Sequence, residues 1–400
     1  MRRSVMMMSM VAMIVSFVVW SMISPVAPQM TKAMHLSEFD KSILVATPVL
    51  LGSLFRIPIG MLTDRFGGRI VYTVLMVYLV IPLFGISFAH HFGTFVFWEI
   101  LLGVAGTSFA VGIGHVSAWY PPKQQGLVLG ITALGNIGTA VAGFSIPVMF
   151  LHLGFANTAR VLVIPVLIMA ACLWLFTRDA KSEKATLEPT VNQANAMKLD
   201  AKGFWTTSNL WVLSMFYFIT FGGFVAFGNY LPTLLQSIYH MPPVSAGLRA
   251  SGFVVLATAL RPVGGYLADK IAPKNLLIMT FAVIAIMAAV FGFGMANMAV
   301  ATIAALVISI MLGIGNGAVF KLVPTYFPHT TGKATGIIGA IGGMGGFFPP
   351  LVMGALKQAT GSYLVGMLFL ALSCVIALVV LLIQYRTRKS APTKRVRVAA

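Results

Sequence analysis

Two arginines carry chemistry that their surroundings do not explain. Arg56 and Arg261 stand inside apolar stretches, and each is followed eight residues later by an aspartate, Asp64 and Asp269. A guanidinium stays charged at every working pH, and its planar fork of donors matches flat oxyanions with two or three oxygens. At the centre of a bilayer such a charge costs about 3 kcal/mol on insertion scales, so an arginine kept there marks a binding site unless it snorkels to the interface. The chain has nine acidic residues to set against them. Asp64 and Asp269 belong to short turns; Glu38, Asp40, Glu99, Asp179, Glu183, Glu188 and Asp200 are placed in loops or at helix ends. Two buried cations without a carboxylate of their own call for an anion from outside.

The elements that hold these arginines are membrane helices. Of the 400 residues, 58% are hydrophobic and only 9% charged, with a mean hydropathy of +0.93. No water-soluble core hides that much apolar side chain. Apolar runs of about twenty residues, the length that crosses about 30 Å of hydrocarbon, recur twelve times: 6–26, 41–62, 69–88, 93–118, 125–149, 160–177, 209–237, 246–268, 275–295, 299–322, 333–356 and 362–384. Backbone groups in lipid must be satisfied within the segment, so the runs are helices, numbered one to twelve here. Eight residues from Arg56 to Asp64, at about 1.5 Å each, put the arginine about 12 Å below the turn.

The formal charge of +18 does not point to nucleic acid. Twenty of the 27 Lys and Arg fall on one side of the predicted helices, in the amino terminus, alternate loops, a central linker and the tail. By the positive-inside rule both termini are cytoplasmic, the protein being a multi-pass component of the cytoplasmic (inner) membrane with lipid as its surroundings. Cys172 and Cys374 lie in apolar helices and no disulfide is expected. With no metal-ligand cluster, nucleophile motif or phosphate loop, the chain does not read as an enzyme, and no cofactor or metal is expected.

The twelve helices form two sets of six. Residues 1–177 make an amino-terminal bundle, 178–208 a polar linker, 209–385 a carboxy-terminal bundle and 386–400 a basic tail. Arg56-Ile-Pro-Ile-Gly60-Met-Leu-Thr-Asp64-Arg65-Phe-Gly-Gly-Arg69 matches Arg261-Pro-Val-Gly-Gly265-Tyr-Leu-Ala-Asp269-Lys270-Ile-Ala-Pro-Lys274 at a constant offset of 205. Trp119-Tyr120-Pro121 likewise answers Tyr326-Phe327-Pro328. Such a repeat fits transporters that bind substrate between halves near the midplane. The Gly-x-x-x-Asp-Arg/Lys-x-x-x-Arg/Lys element after helices two and eight resembles the signature loop of the major facilitator superfamily. That resemblance implies an all-α membrane protein of twelve helices in two pseudo-symmetric six-helix bundles. Gly60 and Gly265 are then expected to allow close helix contact, and Asp64, Arg65, Arg69, Asp269 and Lys270 to form a cytoplasmic latch by capping or ion pairing.

Helices five and eleven are rich in glycine, including Gly130, Gly135, Gly138, Gly336, Gly342, Gly343 and Gly345. With Gly135-Asn136-Ile-Gly138, Arg56-Ile-Pro, Thr220-Phe221-Gly222 and Gly313-Ile-Gly-Asn316-Gly317, they make the chain similar to the nitrate/nitrite porter family of that superfamily. The resemblance implies a nitrate or nitrite anion clamped by Arg56 and Arg261, aromatic contacts from Phe109, Tyr217 and Phe221, and Asn136 as a hydrogen-bond donor. Of the aromatics, Tyr217 is preferred over Phe221 because a buried hydroxyl needs a partner. Gly343 takes the place of a second asparagine in helix eleven. The glycines are expected to serve gating and helix packing, letting bare backbone slide.

His115 titrates near neutral pH and is a candidate proton relay, although a histidine in such a setting is more often structural. The expected function is secondary active transport of nitrate or nitrite by alternating access in a monomer. The lack of a mid-membrane carboxylate favours anion exchange over proton symport. The competing reading is a proton-coupled carrier of another small organic anion or drug.

Overall fold

The computed structural model describes residues 1–120, 122–180, 204–327 and 331–389; most of the predicted linker and the end of the tail lie outside them. Among the described residues every regular element is a helix. Ten helices are long and apolar enough to cross a membrane, and an eleventh span comes from a broken pair, Glu38–Leu54 and Arg56–Phe66. The run Val128–Phe176 counts as one of the ten, yet its 49 residues would reach about 73 Å as one helix, more than twice a hydrocarbon core. Gly154, at φ 74 and ψ 169, breaks it into two. The expected loop between helices five and six is thus a single left-handed glycine, a conformation that side chains disfavour. Twelve spans are consistent with this arrangement.

The break in helix two falls at the arginine. The two pieces meet at 41°, and Arg56 opens the second. Pro58 has no N–H to give the carbonyl of Leu54, and its ring crowds that carbonyl, which accounts for a bend there. Helix eight, Pro243–Lys270, carries Pro262 after Arg261 and runs on without a break.

Helix seven, Ser208–Tyr239, is the most enclosed span, with 78% of its apolar window buried. Helix eleven, Thr331–Met344 continued by Phe348–Thr360, packs on it through glycine: a Cβ on Gly345 would lie 2.2 Å from the Phe218 carbonyl oxygen. Across the pseudo-symmetric sets, helix five meets helix eight where a Cβ on Gly247 would lie 1.8 Å from the Gly143 carbonyl oxygen. Only glycine lets two backbones approach so closely.

Polar contacts pin the two sets together at the end opposite the repeated turns. Gln236 donates to the Pro25 carbonyl at 3.0 Å, Ser42 and Tyr230 share a hydrogen bond of 3.1 Å, and Tyr363 donates to Glu38 at 3.3 Å. Ser24 also donates to the Asn229 carbonyl.

At the turn end, Asp269 pairs with Lys321 of helix ten. In the first set the Asp179 carboxylate accepts the backbone N–H of Arg69 at 2.8 Å at the start of helix three. The Arg69 guanidinium lies over Trp174 at 4.2 Å and donates through Nε to its carbonyl at 3.0 Å. A Cβ on either Gly60 or Gly265 would meet nothing within 4 Å, yet the Gly265 backbone is closely approached: a Cβ on Gly317 would lie 2.4 Å from its nitrogen. The close approach of helices eight and ten there is shared with Gly264, whose Cβ would lie 2.2 Å from the Ile314 carbonyl oxygen.

Candidate anion-binding site

The bend in helix two and the unbroken helix eight aim Arg56 and Arg261 at one ring on helix seven. The Phe221 centroid lies 5.2 Å from the Arg56 guanidinium carbon and 5.1 Å from that of Arg261. Arg56 also lies over Phe109 at 5.4 Å, and Arg261 over Phe224 at 4.5 Å. A ring face attracts a cation by about 0.5–2 kcal/mol, more when water is excluded.

Those faces offset only part of two buried charges. Arg56 is 5% exposed and donates one hydrogen bond, from Nη1 to the Gly339 carbonyl at 3.1 Å. Its Nε, and Nε and Nη2 of the half-buried Arg261, are hidden from solvent with no partner. No carboxylate lies within ion-pair distance of either arginine among the described residues. Three buried cationic donors without acceptors, supplied from both sets of helices, form a site short of negative charge.

The expected aromatic residues Tyr217, Phe221 and Phe109 all lie at this cluster. Phe221 is the ring within about 5 Å of both guanidinium groups, and Tyr217 stacks on it at 4.9 Å and 4° while interacting electrostatically with both arginines. Phe320 closes the edge of Tyr217 at 4.8 Å. Phe224 was missed, although Tyr217, Phe221 and Phe224 follow the i, i+4, i+7 spacing of one helical face.

Asn136 is fully buried; its amide nitrogen donates one of its two N–H groups to the Ala133 carbonyl at 2.8 Å, and its Oδ1 has no partner. Asn316, which the sequence offered only within a glycine motif, is 2% exposed with both amide atoms unpartnered. Counting from Trp119 and Tyr326, it occupies the position that Phe109 occupies in the first set.

The helix-eleven glycines fit round this cluster. A Cβ on Gly342 would lie 2.1 Å from the Tyr217 ring, and one on Gly343 2.4 Å from Ser53 Oγ and 3.3 Å from Arg56 Nη1. Gly135 and Gly138 instead press on helix one, at 2.6 Å from Met13 and 2.3 Å from the Ile14 carbonyl oxygen, while Gly130 and Gly336 face open space.

His115 stands apart from the arginines. It is 2% exposed, its Nδ1 lies 3.4 Å from Ser9 Oγ, and its Nε2 lies 3.2 Å from the Arg178 carbonyl and 3.6 Å from Asp179. That is the setting of a hydrogen-bonded structural histidine at the turn end.

Glu99 requires a correction. The acidic residues outside the turns were placed in loops or at helix ends, yet Glu99 is the eighth residue of the helix Phe92–Leu102 and is 0% exposed. Both its carboxyl oxygens are buried without a partner. A single acidic letter among apolar neighbours does not reveal which face it occupies; packing on helices two and three decides it.

Comparison with known proteins agrees with this architecture. Residues 9–327 match the model of the Major Facilitator Superfamily. The chain belongs to that superfamily. It is therefore a transporter and not an enzyme. It is 39% identical over 362 residues to the Bacillus subtilis "Nitrite extrusion protein", covering 90% of this chain and 89% of that one. It is 37% identical over 371 residues to the Staphylococcus epidermidis "Probable nitrate transporter NarT", covering 93% of each. Among solved structures, a D-xylose-proton symporter superposes with a TM-score of 0.78 at 16% identity, over 96% of this chain and 97% of that one. At that identity the likeness speaks for the fold alone.

Proposed function

We propose that this transporter carries nitrate and nitrite, binding the anion between Arg56 and Arg261 and exposing the site alternately to the two sides of the cytoplasmic membrane. The observation that carries the reading is the convergence of two guanidinium groups, from equivalent positions in the repeat, on the single ring of Phe221 with no carboxylate beside them. Each half then contributes one cation, so a bound anion draws the halves together, and separation at either end releases it. The names of the relatives in Bacillus subtilis and Staphylococcus epidermidis support a small planar anion. A flat ion also suits a space walled by aromatic faces and bare glycine.

In this conformation the cross-half hydrogen bonds at Ser42, Glu38 and Pro25 hold one end together. With both termini cytoplasmic, that is the outer end. Gly60, Asp64, Arg65 and Arg69, with Gly265, Asp269 and Lys270, act as the cytoplasmic latch. The test is competition for labelled nitrate uptake in proteoliposomes. Unlabelled nitrite should compete, and small carboxylates and larger organic anions should not. Absence of nitrate and nitrite transport, or equal competition by carboxylates, overturns the reading in favour of an organic-anion carrier.

A further inference from the structure

Glu99 is the one carboxyl among the described residues that is fully enclosed with neither oxygen bonded. It begins the third turn of helix four, about 10 Å from the start at Phe92 and about 15 Å before Phe109. It therefore lies between the outer end and the arginine site. Helix four packs there on helices two and three.

The charged and titratable groups on those helices are engaged elsewhere. Lys41 pairs with Glu38 at 2.7 Å, and Asp40 accepts from Ser37 at 2.7 Å. Tyr78 donates to the Leu101 carbonyl at 3.1 Å and Tyr72 to that of Ser9 at 3.1 Å. Arg56 serves the anion site; Asp64, Arg65 and Arg69 lie at the opposite end. From helix six, Arg160 donates to Ser87 at 3.2 Å. On helix four itself, His91 begins the helix and His115 lies about 24 Å away. None reaches a Glu99 oxygen.

An ionised carboxylate with no partner is far costlier to bury than a neutral carboxyl. A carboxyl enclosed in one conformation and open to water in another therefore takes up a proton before enclosure and gives it back on opening. We propose that Glu99 is the proton-carrying group that couples anion movement to a proton gradient, so that the transporter works as a proton–anion symporter. This rests on the anion-transport reading above. In the step, a Glu99 carboxylate oxygen accepts a proton from water on one side, and the O–H bond breaks to water on the other after the halves rock. One proton and one monovalent anion move together with no net charge. A membrane potential, which opposes an anion moving alone by about 2.3 kcal/mol per 100 mV, then does no work on the pair.

The test uses proteoliposomes of the full chain and the Glu99→Gln variant, whose amide is close in shape to a protonated carboxyl. Two assays are run: counterflow of labelled nitrate against internal nitrite at equal pH, and accumulation driven by a pH gradient. The wild type should accumulate nitrate about tenfold per unit of pH difference, the limit for one proton per anion. Glu99→Gln should keep counterflow and lose gradient-driven accumulation, its ratio falling to about one. Retained accumulation in Glu99→Gln, or wild-type accumulation indifferent to pH, overturns the proposal while leaving anion transport standing. Absent wild-type counterflow defeats the anion reading instead. Should the glutamine variant fail to fold, Glu99→Asp serves: it should accumulate nitrate with a shifted external pH profile, and an unshifted profile overturns the proposal.

Discussion

Neutralising Arg261 separates a binding role from a structural one, because the two predict opposite signs. Nε and Nη2 of Arg261 have no partner, so Arg261→Gln breaks no hydrogen bond there, whereas Arg56 holds the Gly339 carbonyl. The common ring of Phe221 limits the two guanidinium carbons to a separation of about 10 Å or less. At an effective dielectric of about 20 they repel by about 1.7 kcal/mol or more, and an anion about 4 Å from one of them gains about 4 kcal/mol. The repulsion is present with and without ligand, so removing it stabilises the empty protein. It is opposed by the loss of ring contacts to Phe221 and Phe224, each about 0.5–2 kcal/mol. The attraction exists only in the complex. Its loss lowers affinity by up to about 700-fold, and the net value of a charged hydrogen bond, about 1.5 kcal/mol, sets a floor of about 12-fold. Nitrate titration followed by thermal unfolding in detergent reads both. The expected result is a weakened nitrate-dependent shift with an unfolding temperature, without nitrate, within about 2 °C of the parent. An affinity change under about threefold, or a fall of about 5 °C or more in the empty protein, would refute the reasoning.

Three further outcomes follow from particular contacts. Gly342→Ala drives a Cβ into the Tyr217 ring at 2.1 Å and, at a cost of about 1–3 kcal/mol, should cut nitrate uptake roughly tenfold or more, while Gly336→Ala, with nothing within 4 Å, should not; equal uptake rates in the two variants count against the site. Tyr363→Phe removes a cross-half bond to Glu38 worth about 0.5–1.5 kcal/mol and should raise the population separated at that end about two- to tenfold, read by spin-label distances across it; an unchanged distribution contradicts the assignment. Asp269→Asn breaks a pair with Lys321 whose side chains are 53% and 46% exposed, so unfolding should shift by less than about 2 °C while uptake slows; a large loss of stability would make the latch a structural brace.

What sequence disclosed depended on whether a property repeats or is local. The 205-residue offset, the apolar run lengths and the scarcity of acidic residues mark Arg56 and Arg261 as equivalent intramembrane positions, because charge and period are properties of the letters. Span boundaries followed less well where the backbone departs from a regular helix: Gly154 turns the chain in one residue, and Pro58 bends helix two. Side-chain direction was least legible. Phe224 joins Phe221 over Arg261, Gly60 faces open space, and Glu99 points into the bundle, each settled by packing against helices distant in sequence.

The central claim is that one nitrate or nitrite ion sits between Arg56 and Arg261 during transport. Counterflow of labelled nitrate, measured in proteoliposomes at equal pH for the parent, Arg56→Gln, Arg261→Gln and the double variant, tests it most directly. The account predicts rapid exchange in the parent and loss of at least about tenfold in each single variant at low nitrate. The double variant should do no better than either single one. Full counterflow in either single variant, with the parent active, would contradict it.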